Sequence, residues 1–318
     1  MLLVTGATGF IGGHLIERVD EPVRCLVRRN VPLPDGRGTV SSVHGDLATG
    51  EGLDEALEGV DTIIHLAGAI KALCPDDYYA GNARTTENLV RRAAGRGIRF
   101  VHVSSLAAAG PSLDGAPVTE DDPPHPVSHY GKSKLEAEQT VRALLPAAVI
   151  VRPPVVYGPR DAAVLQILKS VAKGLWLEIG GGDRWFSAIY VGDLVEGILQ
   201  AARAPQAAGR TYFLSHPKPC TWGDLAAIAG HVMNRKPVRI GVPVPAAVAV
   251  GWCAEVWARL TGRPGIVSRD KIVEARCARW TCNTGRAAGE LGFEARTPIE
   301  NGLVQTLAWY KEAGWINF

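Results

Sequence analysis

The sequence has no Cys-x-x-Cys pair, no run of basic residues longer than three or four, no internal repeat and no low-complexity tract. Each absence removes a class of function. The six cysteines, Cys25, Cys74, Cys220, Cys253, Cys277 and Cys282, are scattered and largely in apolar surroundings. They read as reduced packing residues, with no disulfide framework and no metal site. A net charge of +2 over 318 residues offers no electrostatic footprint for nucleic acid. The most apolar stretch, residues 242–257, contains Glu255 and is followed by Arg259, so it falls short of the ~20 continuous apolar residues that cross a bilayer. It reads as a core helix, a wall of a substrate pocket or a dimer face, ahead of contact with a membrane surface. An apolar strand starts at Met1, leaving no room for a signal peptide, and the expected compartment is the cytoplasm.

Residues 1–5, Met-Leu-Leu-Val-Thr, have the short apolar character of a buried parallel strand. They pass directly into Gly6-Ala7-Thr8-Gly9-Phe10-Ile11-Gly12-Gly13. A lone glycine triplet marks a flexible loop, but here the glycines follow a strand and open a helix, expected at 14–19. Gly6 then permits the tight turn, Gly9 lets the backbone approach a pyrophosphate, and Gly12 lets the helix pack close to the sheet with its N-terminus toward the phosphates. Further strand-like runs at 22–27, 39–44, 62–67, 98–104 and 147–152 alternate with helical patterns at 53–57, 82–94 and 127–145. This alternation predicts an α/β fold with a doubly wound parallel sheet and a ligand across the carboxyl ends of its strands. Beyond residue 153 the elements shorten: helices near 162–172, 194–202, 222–233, 245–260 and 299–313, strands near 187–191 and 211–214. Residues 1–160 are expected to form a dinucleotide-binding (Rossmann) domain. Residues 161–318 should form a smaller, mostly helical substrate-binding region, some of whose elements return to the first.

Tyr130 and Lys134 stand four apart in S-H-Y-G-K-S-K, which puts both side chains on one helix face. A phenol with a free pKa of about 10 is a poor acid or base at neutral pH. An ammonium beside it favours the phenolate and brings proton transfer toward pH 7. The bland alternative for the pair is a solvated helix face.

Several segments carry a family resemblance: T-G-A-T-G-F-I-G at 5–12, Gly45, Asp46 and Leu47, I-I-H-L-A-G at 63–68, Asn82 heading A-R-T-T-E-N-L, V-S-S at 103–105, Y-G-K-S-K at 130–134 and V-R-P-P-V-V-Y-G-P-R at 151–160. Together they resemble an extended short-chain dehydrogenase/reductase of the NAD(P)-dependent epimerase/dehydratase superfamily. The motifs cover residues 1–200 in order. Within that superfamily the chain is most similar to dihydroflavonol-reductase-like and 3β-hydroxysteroid-dehydrogenase-like members, on residues 242–257, W-T-C-N-T at 280–284, E-L-G-F at 290–293 and L-A-W-Y-K-E-A-G-W at 307–315. The resemblance implies Ser105 as the hydroxyl that hydrogen-bonds the reacting carbonyl or alcohol, with Ser104 the close alternative. It implies Tyr130 as the proton-transfer group and Lys134 as the group that tunes the phenol and holds the nicotinamide ribose. Cofactor contacts are implied for Gly6, Thr8, Gly9, Phe10, Ile11 and Gly12, for Asp46 and Leu47 at the adenine, for Leu66, Ala67 and Gly68, and for Pro153, Val155 and Val156 near the nicotinamide. For Asp46 a helix N-cap is the structural alternative; for Ser105 it is a strand-end hydroxyl capping its own backbone.

Arg28 and Arg29 follow the second strand, where an acidic residue would select NAD. Arginine there accommodates the extra phosphate of NADP, so NADP(H) is the expected cofactor, with NAD the alternative. Nucleotide-sugar members of the superfamily carry an Arg seven residues before the Asp of their V-x-D motif. In this chain that Asp is Asp193 and the place is Phe186, which cannot grip a diphosphate; Arg184 lies close enough to substitute. The expected activity is interconversion of a ketone and a secondary alcohol on a largely apolar small molecule by a homodimeric enzyme. Nucleotide-sugar epimerisation or dehydration is the alternative chemistry. A non-catalytic cofactor-binding subunit is the third reading, against which stand both Tyr130 and Lys134.

Overall fold

Leu2, Leu3, Val4 and Thr5 are all buried, as a strand covered by helices on both faces requires. The computed structural model describes residues 1–29, 31–265 and 267–318, so Asn30, which follows the arginine pair, lies outside the described residues. Strand β1 (Leu2–Thr5) sits within a seven-stranded sheet with β2 (Val23–Val27), β3 (Val40–His44), β4 (Thr62–His65), β5 (Arg99–Val103), β6 (Val149–Val151) and the strand Thr211–Tyr212. Its order is Thr211–Tyr212, β6, β5, β4, β1, β2, β3, and every pairing is parallel. The chain winds outward from β1 to β3, then crosses back to β4. This reversal opens a crevice at the carboxyl ends of β1 and β4, where such sheets bind ligands.

One core joins the sheet to helices Phe10–Ile16 and Val191–Arg203 through Val4, Leu15, Ile64, Leu194 and Ile198. Both Val191–Arg203 and Thr211–Tyr212 therefore pack with the sheet although they follow residue 160. A second core gathers Leu168, Trp176, Phe186, Leu225, Leu303 and Tyr310 from helices Ala162–Ala172, Trp222–Val232 and Ile299–Glu312 and from short strands.

Several boundaries differ from the sequence expectation. The first helix is Phe10–Ile16 rather than 14–19, because Gly9 is extended and the helix begins at once after it. The helix expected from residue 82 runs over Thr85–Ala93, after a π-helical turn at Ala80–Arg84 and a short helix, Pro75–Tyr79. Two strands, Leu175–Ile179 and Val238–Val242, pair in parallel where none was expected. The helix Val244–Thr261 is not a core helix: only Ala247, Gly251 and Ala258 on it are buried. Nor do all the cysteines pack inside; Cys25, Cys220 and Cys282 are buried, whereas Cys74 and Cys253 are exposed.

Candidate active site

The first wall of the crevice is made by backbone. Gly6 turns the chain at φ +74°, and a Cβ there would stand 2.7 Å from the Ala67 nitrogen at the end of β4. Gly12 presses on the same turn, where an added Cβ would overlap the Gly6 carbonyl oxygen and come within 2.9 Å of Ala7 Cα. Thr8 and Gly9 are exposed, Phe10 and Ile11 half-buried. No side chain caps the helix Phe10–Ile16, so its first-turn amides remain open to phosphate oxygens. Arg28 and Arg29 stand exposed just beyond β2, the neighbour of β1. Past β3, Asp46 Oδ1 accepts from Ala48 N at 2.8 Å, while Leu47 is buried. Asp46 therefore closes an Asx turn instead of capping the helix Leu53–Leu57, whose N-cap is Gly52. The turn, the arginines and the exposed amides fit a dinucleotide.

At the end of β4, Leu66 and Ala67 are half-buried and Gly68 is exposed. Asn82 fastens this loop: its Oδ1 accepts from Ala69 N at 2.8 Å, and its Nδ2 donates to Ala69 O at 3.1 Å and to Ser133 Oγ at 2.9 Å. Ser133 belongs to the helix His129–Leu144, which also carries Tyr130 and Lys134. Lys134 is buried, and its Nζ donates to Val103 O at 2.9 Å at the end of β5. Burial lowers its pKa to about 8, partly opposed by Glu138. Beneath, His65 is held by Thr5 Oγ1 at 2.6 Å and Thr86 Oγ1 at 2.9 Å. Burial lowers its pKa to about 3, which leaves the ring neutral.

Ser105 takes up the capping alternative, and its hydroxyl lies beside the phenol. Its Oγ accepts from Ala107 N at 3.1 Å, capping the helix Leu106–Ala109, and the same hydroxyl acts on the Tyr130 phenol, favouring its charged form. Ser104 Oγ is buried with no hydrogen-bond partner among the described residues. Pro153 is buried beside this turn and accepts from Leu106 N at 2.8 Å; Val155 and Val156 are half-buried in the strand that follows.

The phenol departs from the sequence expectation. Burial pushes the Tyr130 pKa up, opposed first by Lys271 and then by the Ser105 hydroxyl. The cation over the Tyr130 ring is Lys271, with its Nζ 4.5 Å from the ring centroid, while the Lys134 ammonium is turned to Val103 O. Spacing along one helix shows which face two side chains share, not where the ammonium points.

Lys271 comes from the helix Arg269–Arg276, which the sequence did not reveal and which forms the second wall. Its Asp270 carboxylate accepts from His129 N at 2.7 Å and Tyr130 N at 3.2 Å, at the positive end of the tyrosine helix. Glu274 accepts from Ser128 Oγ at 2.6 Å through Oε1 and from Lys271 Nζ at 2.8 Å through Oε2. Tyr78 meets Tyr130 edge-on at 6.0 Å between centroids, and burial pushes its own pKa to about 12. The one sequence signal for this helix was Ser268, which caps it by accepting from Lys271 N.

Farther along the substrate side, Phe186 is buried and stacks on Trp222 at 4.0 Å. Arg184 donates through Nε to Ile179 O and through Nη1 to Arg276 O, both at 2.8 Å. Asp193 of the V-x-D motif accepts from Thr297 N at 2.8 Å and Thr297 Oγ1 at 3.0 Å. Among the described residues no group of His, Cys, Asp and Glu is arranged to hold a metal ion.

Residues 2–214 match the NAD dependent epimerase/dehydratase family. The chain is 32% identical over 320 residues to the ceramide reductase of Caulobacter vibrioides, an alignment covering 99% of this chain and 96% of that relative. It is 28% identical over 321 residues to the N-acetyl-alpha-D-glucosaminyl-diphospho-ditrans,octacis-undecaprenol 4-epimerase of Escherichia coli O157:H7, covering 97% of this chain and 94% of the relative. Among solved structures, gox2253 superposes with a TM-score of 0.80 at 26% identity, covering 100% of this chain and 99% of the other.

Proposed function

Because this chain belongs to the NAD dependent epimerase/dehydratase family, whose members here are extended short-chain dehydrogenases/reductases, we propose that it is an NADP(H)-preferring oxidoreductase interconverting a ketone and a secondary alcohol on a largely apolar substrate. The carrying observation is the state of Phe186 and Arg184. Phe186 is stacked on Trp222, and Arg184 Nε and Nη1 donate to the carbonyls of Ile179 and Arg276, so only its Nη2 has no hydrogen-bond partner among the described residues. Phe186 has no donor for a diphosphate, and Arg184 would have to give up these backbone bonds to present its full fork to one. Similarity to a relative named for ceramide reduction agrees with this choice.

In this proposal residues 1–160 hold the cofactor and residues 161–318 mainly shape the substrate site. The glycine turn takes the pyrophosphate, Arg28 and Arg29 the ribose phosphate, Asp46 and Leu47 the adenine, and Lys134 the nicotinamide ribose. When bound, the nicotinamide supplies hydride donor and acceptor chemistry. Ser105 Oγ orients the substrate oxygen, and Tyr130 Oη gives that oxygen its proton in reduction and takes it back in oxidation. Lys271 offsets the effect of burial on the phenol.

The test is stoichiometric. With a panel of sterol and long-chain ketones, product should be matched by loss of NADPH absorbance, and Tyr130→Phe should lower turnover by a factor of about 100 or more while cofactor binding persists. Thermal stabilisation by UDP- or dTDP-sugars, with turnover but no net change in NADPH, would overturn the proposal in favour of epimerisation or dehydration.

A further inference from the structure

The helix Val244–Thr261 is 18 residues long and strongly apolar, yet it is the least covered long helix of the fold. Its buried positions, Ala247, Gly251 and Ala258, lie on one stripe. That stripe rests on the helix Arg269–Arg276, with Gly251 so close to Ile272 that a Cβ would collide with Ile272 Cδ1. At 100° per residue, Val256 and Leu260 point directly away from it, flanked on one side by Trp252 and on the other by Trp257. Trp252 is 56% exposed, Trp257 69% and Leu260 77%. Isolated exposed apolar residues need no explanation, but five turns of helix with two outward tryptophans do.

Charge narrows the choice of partner. Residues 235–265 carry Arg235, Lys236, Arg259 and Arg263 against Glu255 alone, besides Arg239, which is paired with Glu178. Glu255 is itself committed, accepting from Arg269 N at 2.8 Å and Arg269 Nε at 2.7 Å. The apolar face is thus bordered by an excess of positive charge. A second copy of the same face would bring like charge against like charge. No helix among the described residues is long and apolar enough to cross a membrane. A helix with an outward apolar face, tryptophans along its edges and arginines at its end suits the boundary between phospholipid headgroups and acyl chains.

We infer that the outer face of Val244–Thr261 docks this protein on the surface of an anionic phospholipid bilayer. The helix lies directly behind Arg269–Arg276, which carries Lys271 to Tyr130. Docking therefore holds the second wall of the active site close to the lipid surface. The inference goes beyond the proposed reaction and does not depend on it, because binding is read without turnover.

The experiment uses the full chain with NADP and vesicles of phosphatidylcholine, alone or mixed with phosphatidylglycerol. Co-sedimentation is expected with the anionic vesicles, weakening as salt is raised, and bromine-labelled acyl chains should quench wild-type tryptophan fluorescence. The triple variant Trp252→Ser, Trp257→Ser, Leu260→Ser should lose about tenfold or more in partitioning, with unchanged melting and NADPH binding. Arg259→Gln with Arg263→Gln should weaken binding to anionic vesicles only, and it keeps the test alive if the triple variant misfolds. No partitioning onto anionic vesicles, or a triple variant that partitions like wild type, overturns the inference. So does a concentration-dependent dimer that the triple variant abolishes in a protein that ignores vesicles. A failure of any of these leaves the NADPH stoichiometry test of the reaction untouched.

Discussion

The two walls of the cleft are built from different materials. On the cofactor side backbone meets backbone: Gly6 against Ala67, and Gly12 against Gly6 and Ala7. On the substrate side the neighbours of Tyr130 are side chains, Lys271, Tyr78 and Ser105, held by ion pairs and hydrogen bonds. A backbone wall cannot yield to an added atom, because moving it moves the strand behind it. A side-chain wall yields by changing rotamer. The first suits a ligand that never changes and the second a ligand that can differ from one protein to the next.

Two glycine substitutions put this contrast at its sharpest. Gly12→Ala places a Cβ against the Gly6 carbonyl and 2.9 Å from Ala7 Cα, so the turn itself must shift. A loss of about 3 kcal/mol or more in stability, at the upper end for overpacking, is expected, together with loss of cofactor binding. Gly251→Ala collides only with the end of the Ile272 side chain, which can rotate away, and otherwise comes to 3.3 Å from the Arg269 backbone nitrogen, so about 1 kcal/mol is expected. Denaturant unfolding of both variants checks the pair. Equal losses would erase the distinction between the walls.

Arg28→Asp probes the cofactor wall where it stops being backbone. The exposed guanidinium after β2 is the expected partner of the NADP phosphate, so NADPH affinity should fall by about 1.5–3 kcal/mol, the scale of a charge-assisted hydrogen bond. NADH affinity should change much less. Titrating both cofactors against both proteins checks it, and tighter binding of NADH than NADPH by the wild type would show that the arginines do not select the phosphate.

The same contrast explains what the sequence revealed. The glycine turn, the sheet strands to within two residues at most ends, and the Tyr130–Lys134 helix were legible because backbone demands leave periodic or glycine signals within a few residues. The second wall was not. In R-D-K-I-V-E-A-R only Ile272 is buried, so there is no apolar stripe to read, and the contacts that matter join Asp270 to His129 and Glu274 to Ser128, more than 140 residues apart. The upward shift of Tyr130 was hidden for the same reason, since it comes from burial, opposed by Lys271, rather than from its spacing from Lys134. The helix Val244–Thr261, which is not the core helix its composition allows, shows the limit from the other side: hydrophobicity records an affinity for apolar surroundings, not what provides them.

The smallest expected effect is at Lys271, and it tests whether the side-chain wall takes part in the chemistry. Lys271 lies 4.5 Å above the Tyr130 ring and lowers the pKa of the phenol, whereas Glu274 raises it. Lys271→Met removes the cation and leaves the carboxylate, so both changes push the phenol pKa the same way, upward. Alcohol oxidation needs the deprotonated phenol to accept a proton, and its rising limb in the pH profile of kcat should therefore move to higher pH. Ketone reduction needs the protonated phenol, and its falling limb should move to higher pH as well. Below the phenol pKa the deprotonated fraction falls about tenfold for each unit that pKa rises, so oxidation at neutral pH should slow several-fold. Lys271→Arg keeps the charge and should restore most of the rate. A merely structural lysine would change kcat without moving either limb, and that outcome would show that the second wall shapes the cleft but does not tune its acid.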